Sequence, residues 1–301
     1  MDGIVNLIKP AGMTSSDAVM VMRRLFATKK VGHTGTLDPD AAGVLPICIG
    51  KATRLFDYLV EHDKTYIGEI TLGIRTDTQD AAGRILSAED RVSISRERVE
   101  SIAARFIGLI EQIPSSYSAI KINGKKAYEL ARKGEAVPMR ARSVRIDGIE
   151  VLDQTAENRF LLKVNCSRGT YIRTLVSDIG DKLGCGAYLS FLLRTKSGVF
   201  DLNNGFTIEE LSRLAELGKL EDVLISPAEA MRGYPKILIR KEYEHRAQSG
   251  MGLRKNWLEF EENREASACT VFCGETFYGV AHWDKDEERY RFDAMLWNGV
   301  Q

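Results

Sequence analysis

One carboxylate stands out by its setting. Asp38, followed by Pro39, lies in Gly32-His33-Thr34-Gly35-Thr36-Leu37-Asp38-Pro39-Asp40-Ala41-Ala42-Gly43-Val44-Leu45-Pro46. Three glycines and two prolines in fifteen residues exclude the interior of a helix or strand. Leu37, Val44 and Leu45 seek cover, so this is a loop with a backbone shape to keep. Pro39 restricts Asp38 to extended angles. A carboxylate on a stiff turn suits a nucleophile or a metal ligand; it equally suits an acceptor for the turn's own N–H groups. His33, nearby, invites a general-base role.

Other chemistries lack their residues. Gly50-Lys51 is followed by Ala52 and has no glycine at the spacing of a phosphate-binding loop. No Gly-x-Gly-x-x-Gly, His-Glu-x-x-His or Gly-x-Ser-x-Gly occurs, and His33, His62, His245 and His282 are dispersed. Cys48, Cys166, Cys185, Cys269 and Cys273 are odd in number and scattered, which points to reduced thiols in a cytoplasm. No apolar run approaches the roughly 20 residues that span a bilayer. Met1-Asp2-Gly3-Ile4 lacks the pattern of a signal peptide. The expectation is a cytoplasmic protein with no membrane association, no metal and no cofactor.

Short polar motifs remain: Lys9-Pro10-x-Gly12, the Asp38 loop, Asp63-Lys64-Thr65-Tyr66, Arg75-Thr76-Asp77-Thr78-x-Asp80, and Cys166-Ser167-x-Gly169-Thr170-Tyr171-Ile172-Arg173. In type and order they resemble the TruB family of tRNA pseudouridine synthases, over roughly Ile4 to Val199. The resemblance implies isomerisation of the T-loop uridine, position 55 of tRNA, to pseudouridine. It makes Asp38 the nucleophile, a group with an unperturbed pKa near ~3.9 that needs no activating base. It makes Arg173 the partner of that carboxylate, Tyr66 the ring that stacks on the flipped base and takes part in proton removal at C5, and Leu192 an apolar pocket residue. It moves His33 from base to a residue that fills space beside the flipped nucleotide or contacts RNA. Asp80 is expected in a polar network with Tyr66 or Arg173. Lys9, Tyr171, Lys125 and Lys126 are expected to contact substrate. The implied partner is the tRNA T-arm, with no guide RNA and a monomeric enzyme; a guide-dependent relative and a pure RNA-folding module are the alternatives.

The elements that must hold these residues read as α+β. Ile4–Ile8, Thr65–Gly73, Arg145–Leu152, Phe160–Cys166 and residues 187–193 read as strands. Helices are expected after Thr14-Ser15-Ser16-Asp17, from about Lys51 to Val60, after Ser95, from Tyr171 to Leu183, and after the capping box of Thr207 and Glu210. Arg75–Asp80 reads as a polar loop. The fold expected is a mixed, mostly antiparallel central sheet flanked by helices, over residues 1–234, with a small β-rich domain, faintly PUA-like, over 235–301. Total charge is zero, but residues 115–145 carry eight Lys/Arg against two acids. That segment, with a turn at Asn123-Gly124 and a short helix from Ala127 to Arg132, reads as a basic excursion facing phosphates.

Overall fold

The computed structural model describes all residues except Asp90, Ala119, Asn123, Arg132, Ala136 and 298–301, and only the backbone of Lys121, Ile122, Lys125 and Lys126. The chain opens with strand β1 (Gly3–Lys9) and helix α1 (Ser15–Leu25). Thr14 starts α1 with a complete capping box to Asp17, worth about 1 kcal/mol. Ala18, Val19 and Met22 are buried along its inner face. Strands β2 (Val31–His33) and β3 (Ala42–Ile49) flank the Asp38 loop. The helix expected from Lys51 is instead a 3-10 stretch, Gly50–Leu55, that widens into the short α2 (Phe56–Leu59).

Strand β4 (Lys64–Leu72) keeps the alternation of its sequence, with Tyr66, Gly68, Ile70 and Leu72 buried. The expected polar loop after it contains a small hairpin, β5 (Ile74–Thr76) with β6 (Ile85–Ala88). Its strands are short and its exposed face gives no apolar period. Helix α3 (Arg96–Ala103), capped by Ser95, leads to β7 (Gly108–Gln112). In the basic segment β8 (Lys121–Ile122) and β9 (Lys125–Lys126) pair as a hairpin before α4 (Ala127–Ala131). Asn123 and Arg132 of the expected turn and helix lie outside the described residues. Strands β10 (Arg142–Ala156) and β11 (Arg159–Cys166) form a long hairpin. Helix α5 (Ile172–Leu183) follows, closed by Gly184 in the left-handed conformation, then β12 (Ala187–Ser197), β13 (Phe200–Asp201), α6 (Ile208–Glu216) and α7 (Pro227–Ala230).

Nine strands form one sheet, with the main path β1-β3-β12-β4-β11-β10-β7. Its pairings are antiparallel except for β12 beside β3. The mixed, mostly antiparallel sheet expected from the sequence is thus present. Helices α1, α3, α5 and α6 pack their apolar residues into one core with it, including Met22, Ile70, Ile102, Phe160, Leu175 and Leu211. Each such buried side chain contributes about 1.5–3 kcal/mol relative to exposure.

A second, six-stranded sheet is built from β14 (Lys236–Ile239), β15 (Leu253–Arg254), β16 (Leu258–Glu261), β17 (Cys269–Cys273), β18 (Thr276–Asp284) and β19 (Arg289–Met295). It has its own core around Ile237, Val271, Tyr278 and Tyr290. A further cluster joins Val280, Ala294 and Leu296 to Ile4, Val44, Leu55 and Leu59, so the two sheets share packed surface. All five cysteines are reduced and buried. Among the described residues no helix is long and apolar enough to cross a membrane.

Candidate active site

The Asp38 loop owes its shape to buried polar groups around it. Ser15 Oγ accepts from Leu37 N–H (2.9 Å) and donates to Leu37 O (3.0 Å). Gly12 N–H donates to Pro39 O (2.9 Å), and Asp38's own carbonyl accepts from Ala41 N–H (3.1 Å). Lys9 Nζ, fully buried, donates to Met13 O (2.6 Å), Pro10 O (2.8 Å) and Pro39 O (3.1 Å). At Gly43, φ is +109° and a Cβ would stand 2.2 Å from Arg194 O, so only glycine lets β3 approach β12 there. The turn is closed by backbone groups, which frees the Asp38 carboxylate for another partner.

That partner is Arg173, in the first turn of α5. Its Nε lies 3.1 Å from Asp38 Oδ2 and its Nη1 2.9 Å from Asp80 Oδ2. Nη1 also donates to Thr78 O (3.1 Å) and Nη2 to Tyr117 O (3.3 Å). The guanidinium fork is fixed on four acceptors and oriented by them. The Arg173 side chain is 7% exposed while that of Asp38 is 43% exposed. The carboxylate is therefore presented to a recess and its cation is buried behind it. Burial pushes the Asp38 carboxyl above its ordinary value; Asp80 and Asp40 add to this, and Arg173 and Lys9 oppose it. Asp80 is held in turn by Thr78 Oγ1 (2.5 Å) and Ala82 N–H (3.1 Å). Both carboxylates thus belong to an ion-pair network around Arg173.

The recess measures about 330 Å³. Asp38, Tyr66, Arg173, Leu192 and Tyr171 all line it, although they come from a loop, two strands and the start of a helix. Tyr66 of β4 and Leu192 of β12 sit on neighbouring strands, with Leu192 opposite Gly68. Burial pushes the Tyr66 phenol up. Ile120 and the carbonyl of Tyr117 bring the root of the basic segment to the same place.

Lys9 and His33 serve the loop itself. Lys9 does not reach the recess as a substrate ligand, because its three donors are spent on the loop's carbonyls; burial lowers it to about 8. His33, on β2, accepts from Gly35 N–H at Nδ1 (3.3 Å), and burial lowers its pKa. A ring so engaged shapes the loop. The side chains of Lys125 and Lys126 lie outside the described residues.

Sequence comparison matches residues 23–172 to a model of the "TruB family pseudouridylate synthase (N terminal domain)" and residues 173–231 to a "tRNA pseudouridylate synthase B C-terminal domain". A "tRNA pseudouridine synthase B" of Bacillus cytotoxicus is 43% identical over 278 residues, covering 90% of this chain and 89% of that protein. One of Alkaliphilus oremlandii is 46% identical, covering 86% and 85%. The chain belongs to the TruB family of pseudouridylate synthases. It is an isomerase by that membership. In three dimensions it is similar to a chain of a "Structure of H/ACA RNP bound to a substrate RNA containing 2'-deoxyuridine", with TM-score 0.76 and 22% identity over 99% of this chain and 86% of that one. A chain of a "Cbf5-Nop10-Gar1 Complex" gives TM-score 0.74 and 25% identity over 93% and 78%. These two likenesses concern the fold.

Two residues of this synthase, Gln112 and Arg194, escaped the sequence reading, and a third, Lys64, was read only as part of a motif. Gln112 is fully buried and brackets the backbone of Tyr171, accepting from its N–H (3.1 Å) and donating to its carbonyl (3.3 Å), which sets the start of α5. Lys64, lowered to about 8 by burial, lines the recess and donates to Val60 O (2.5 Å) and His62 O. Arg194 is 1% exposed and also lines the recess. A lone charge ending the apolar run Phe191-Leu192-Leu193 is the one signal that could have flagged it.

Proposed function

We propose that this protein isomerises the T-loop uridine of tRNA, position 55, to pseudouridine, acting alone on RNA without a guide. The observation that carries this reading is the half-buried Asp38 carboxylate, open to a recess of nucleoside size and fixed by a buried Arg173. The names of the relatives at 43–46% identity support tRNA as the substrate. Asp38 is the nucleophile toward a uridine turned out of its loop. The C1′–N1 bond breaks, the uracil turns, and C1′ rejoins it at C5. Tyr66 stacks on the base, worth about 1–3 kcal/mol, and Leu192 closes the opposite side. Tyr66 also takes the proton from C5. His33 occupies space beside the flipped nucleotide.

Turning a base out costs a few kcal/mol. Phosphate contacts from the basic segment, including Lys125 and Lys126, offset this, and the second sheet adds a PUA-like RNA contact. The unit boundary near Tyr234-Pro235 and a monomeric cytoplasmic enzyme complete the reading. The test uses an unmodified tRNA transcript labelled with tritium at uridine C5. Release without guide RNA or cofactor, lost when the T-loop uridine is replaced by cytidine, supports the proposal. Release that persists after that replacement, or that requires a guide RNA, overturns it.

A further inference from the structure

Arg194 lies directly opposite Tyr66 in the pairing of β12 with β4. Its Nε donates to Val44 O (2.6 Å) and its Nη2 to Gly35 O (3.1 Å), so it ties together the two flanks of the Asp38 loop. It lines the same recess as Tyr66, and its charge acts on the Tyr66 phenol. Among the described residues no carboxylate forms an ion pair with it, although it is one of the most deeply buried side chains of the molecule. Its positive neighbours make this setting less favourable still: Lys9, His33 and Lys64 each feel its charge. A buried cation without a counter-ion is costly to keep.

A guanidinium can only donate. Placed opposite it on the neighbouring strand, Arg194 can meet the Tyr66 oxygen only as a donor, which favours the oxygen without its proton. Burial acts most strongly on the phenol and pushes it up; of the charged and titratable groups facing it, Arg194 from β12, Cys166 from β11 and Asp38 from the loop, Arg194 alone opposes this and favours the phenolate. We propose that Arg194 is the counter-cation of a Tyr66 phenolate, a positioning residue that lets Tyr66 carry the proton from C5 to N1 of the uracil. The step balances. The phenolate takes the proton from C5, and the C–H electron pair restores the C5–C6 double bond. The resulting phenol gives the same proton to N1, which bears the charge, and the phenolate returns. Nothing is consumed, as an isomerisation requires.

This inference rests on the reading of Tyr66 as the group that removes the C5 proton. The experiment separates the two. Single-turnover tritium release from C5-labelled tRNA is followed across pH for the wild type, Arg194→Gln, Arg194→Lys and Tyr66→Phe. Arg194→Gln should move the rising limb up by about one pH unit or more, an approximately tenfold loss below it, with recovery in alkali; Arg194→Lys should restore most of the wild-type profile. A uniform loss at every pH, with the limb unmoved, would mean that Arg194 only braces the loop, and overturns the proposal. Full release by Tyr66→Phe overturns the underlying reading instead. If Arg194→Gln does not fold, 3-fluorotyrosine at position 66 decides: its more acidic phenol should move the limb down, and an unmoved limb overturns the proposal.

Discussion

Replacing Arg173 by lysine keeps the charge and removes the fork. The guanidinium meets Asp38 through Nε, Asp80 and Thr78 O through Nη1, and Tyr117 O through Nη2. A lysine ammonium carries its donors on one atom and cannot occupy the Nε and both Nη positions together. About half of the four contacts are lost. A hydrogen bond to a charged group is worth about 1.5–3 kcal/mol, and a buried acceptor left unmet costs about 1–3 kcal/mol. Since the side chain is 7% exposed, water replaces little of this. Arg173→Lys should therefore lower folding stability by about 2–4 kcal/mol. The kinetic effect should be larger, because Asp38 loses the atom that aims it; a misplaced reacting group costs on the order of a hundredfold. Denaturant unfolding and single-turnover tritium release measure the two effects on one preparation. The tRNA dissociation constant should stay within about twofold, because Arg173 faces carboxylates and carbonyls of its own chain. Release within threefold of wild type, or a loss explained wholly by weaker tRNA binding, would refute this account of Arg173.

Lys9→Met should leave tRNA affinity intact and slow release at least tenfold, because three loop carbonyls lose their donor; comparison of binding with single-turnover rates checks this. Gly43→Ala should destabilise by more than about 3 kcal/mol or prevent folding, since its Cβ meets Arg194 O at 2.2 Å at a φ of +109°; chemical denaturation reads it directly. The Asp38 carboxyl is raised in the fold, so the folded state binds the proton more readily than the unfolded chain does, and this carboxyl's penalty appears as pH rises through that window. Asp38→Asn should thus be at least as stable as wild type at neutral pH and lose that advantage at acid pH, as melting curves across pH would record. Below the limb set by Tyr66, wild-type activity should show a second, separate fall with acid, at a pH above the ordinary carboxylate range, as the Asp38 nucleophile takes up its proton.

Local features of the fold were readable because each is written in a few adjacent residues. Thr14 with Asp17 and Thr207 with Glu210 form the capping boxes that start α1 and α6. The alternation through Tyr66, Gly68 and Ile70 places that tyrosine on the inner face of β4. What escaped is long-range. Gln112 acts 59 residues away on Tyr171, and Arg194 acts 150 and 159 residues away on Val44 and Gly35. Both serve backbone groups, which carry no side-chain pattern to match. Lys9, expected to contact substrate, shows the same limit: its three carbonyl acceptors leave no side-chain pattern in the sequence. The expected strand at 187–193 runs on to Ser197, and that extension is what brings Arg194 opposite Tyr66. The hairpin β5–β6 was hidden in a polar segment because its pairing buries little.

The central claim is that the Asp38 carboxylate does the chemistry while Arg173 and the recess hold it. Asp38→Asn keeps the side chain's shape and removes only the charge. Its single-turnover tritium release from C5-labelled tRNA, at saturating protein and with tRNA binding measured alongside, is the direct test. The account predicts tight binding with no detectable release; release by the bound variant within tenfold of wild type would contradict it.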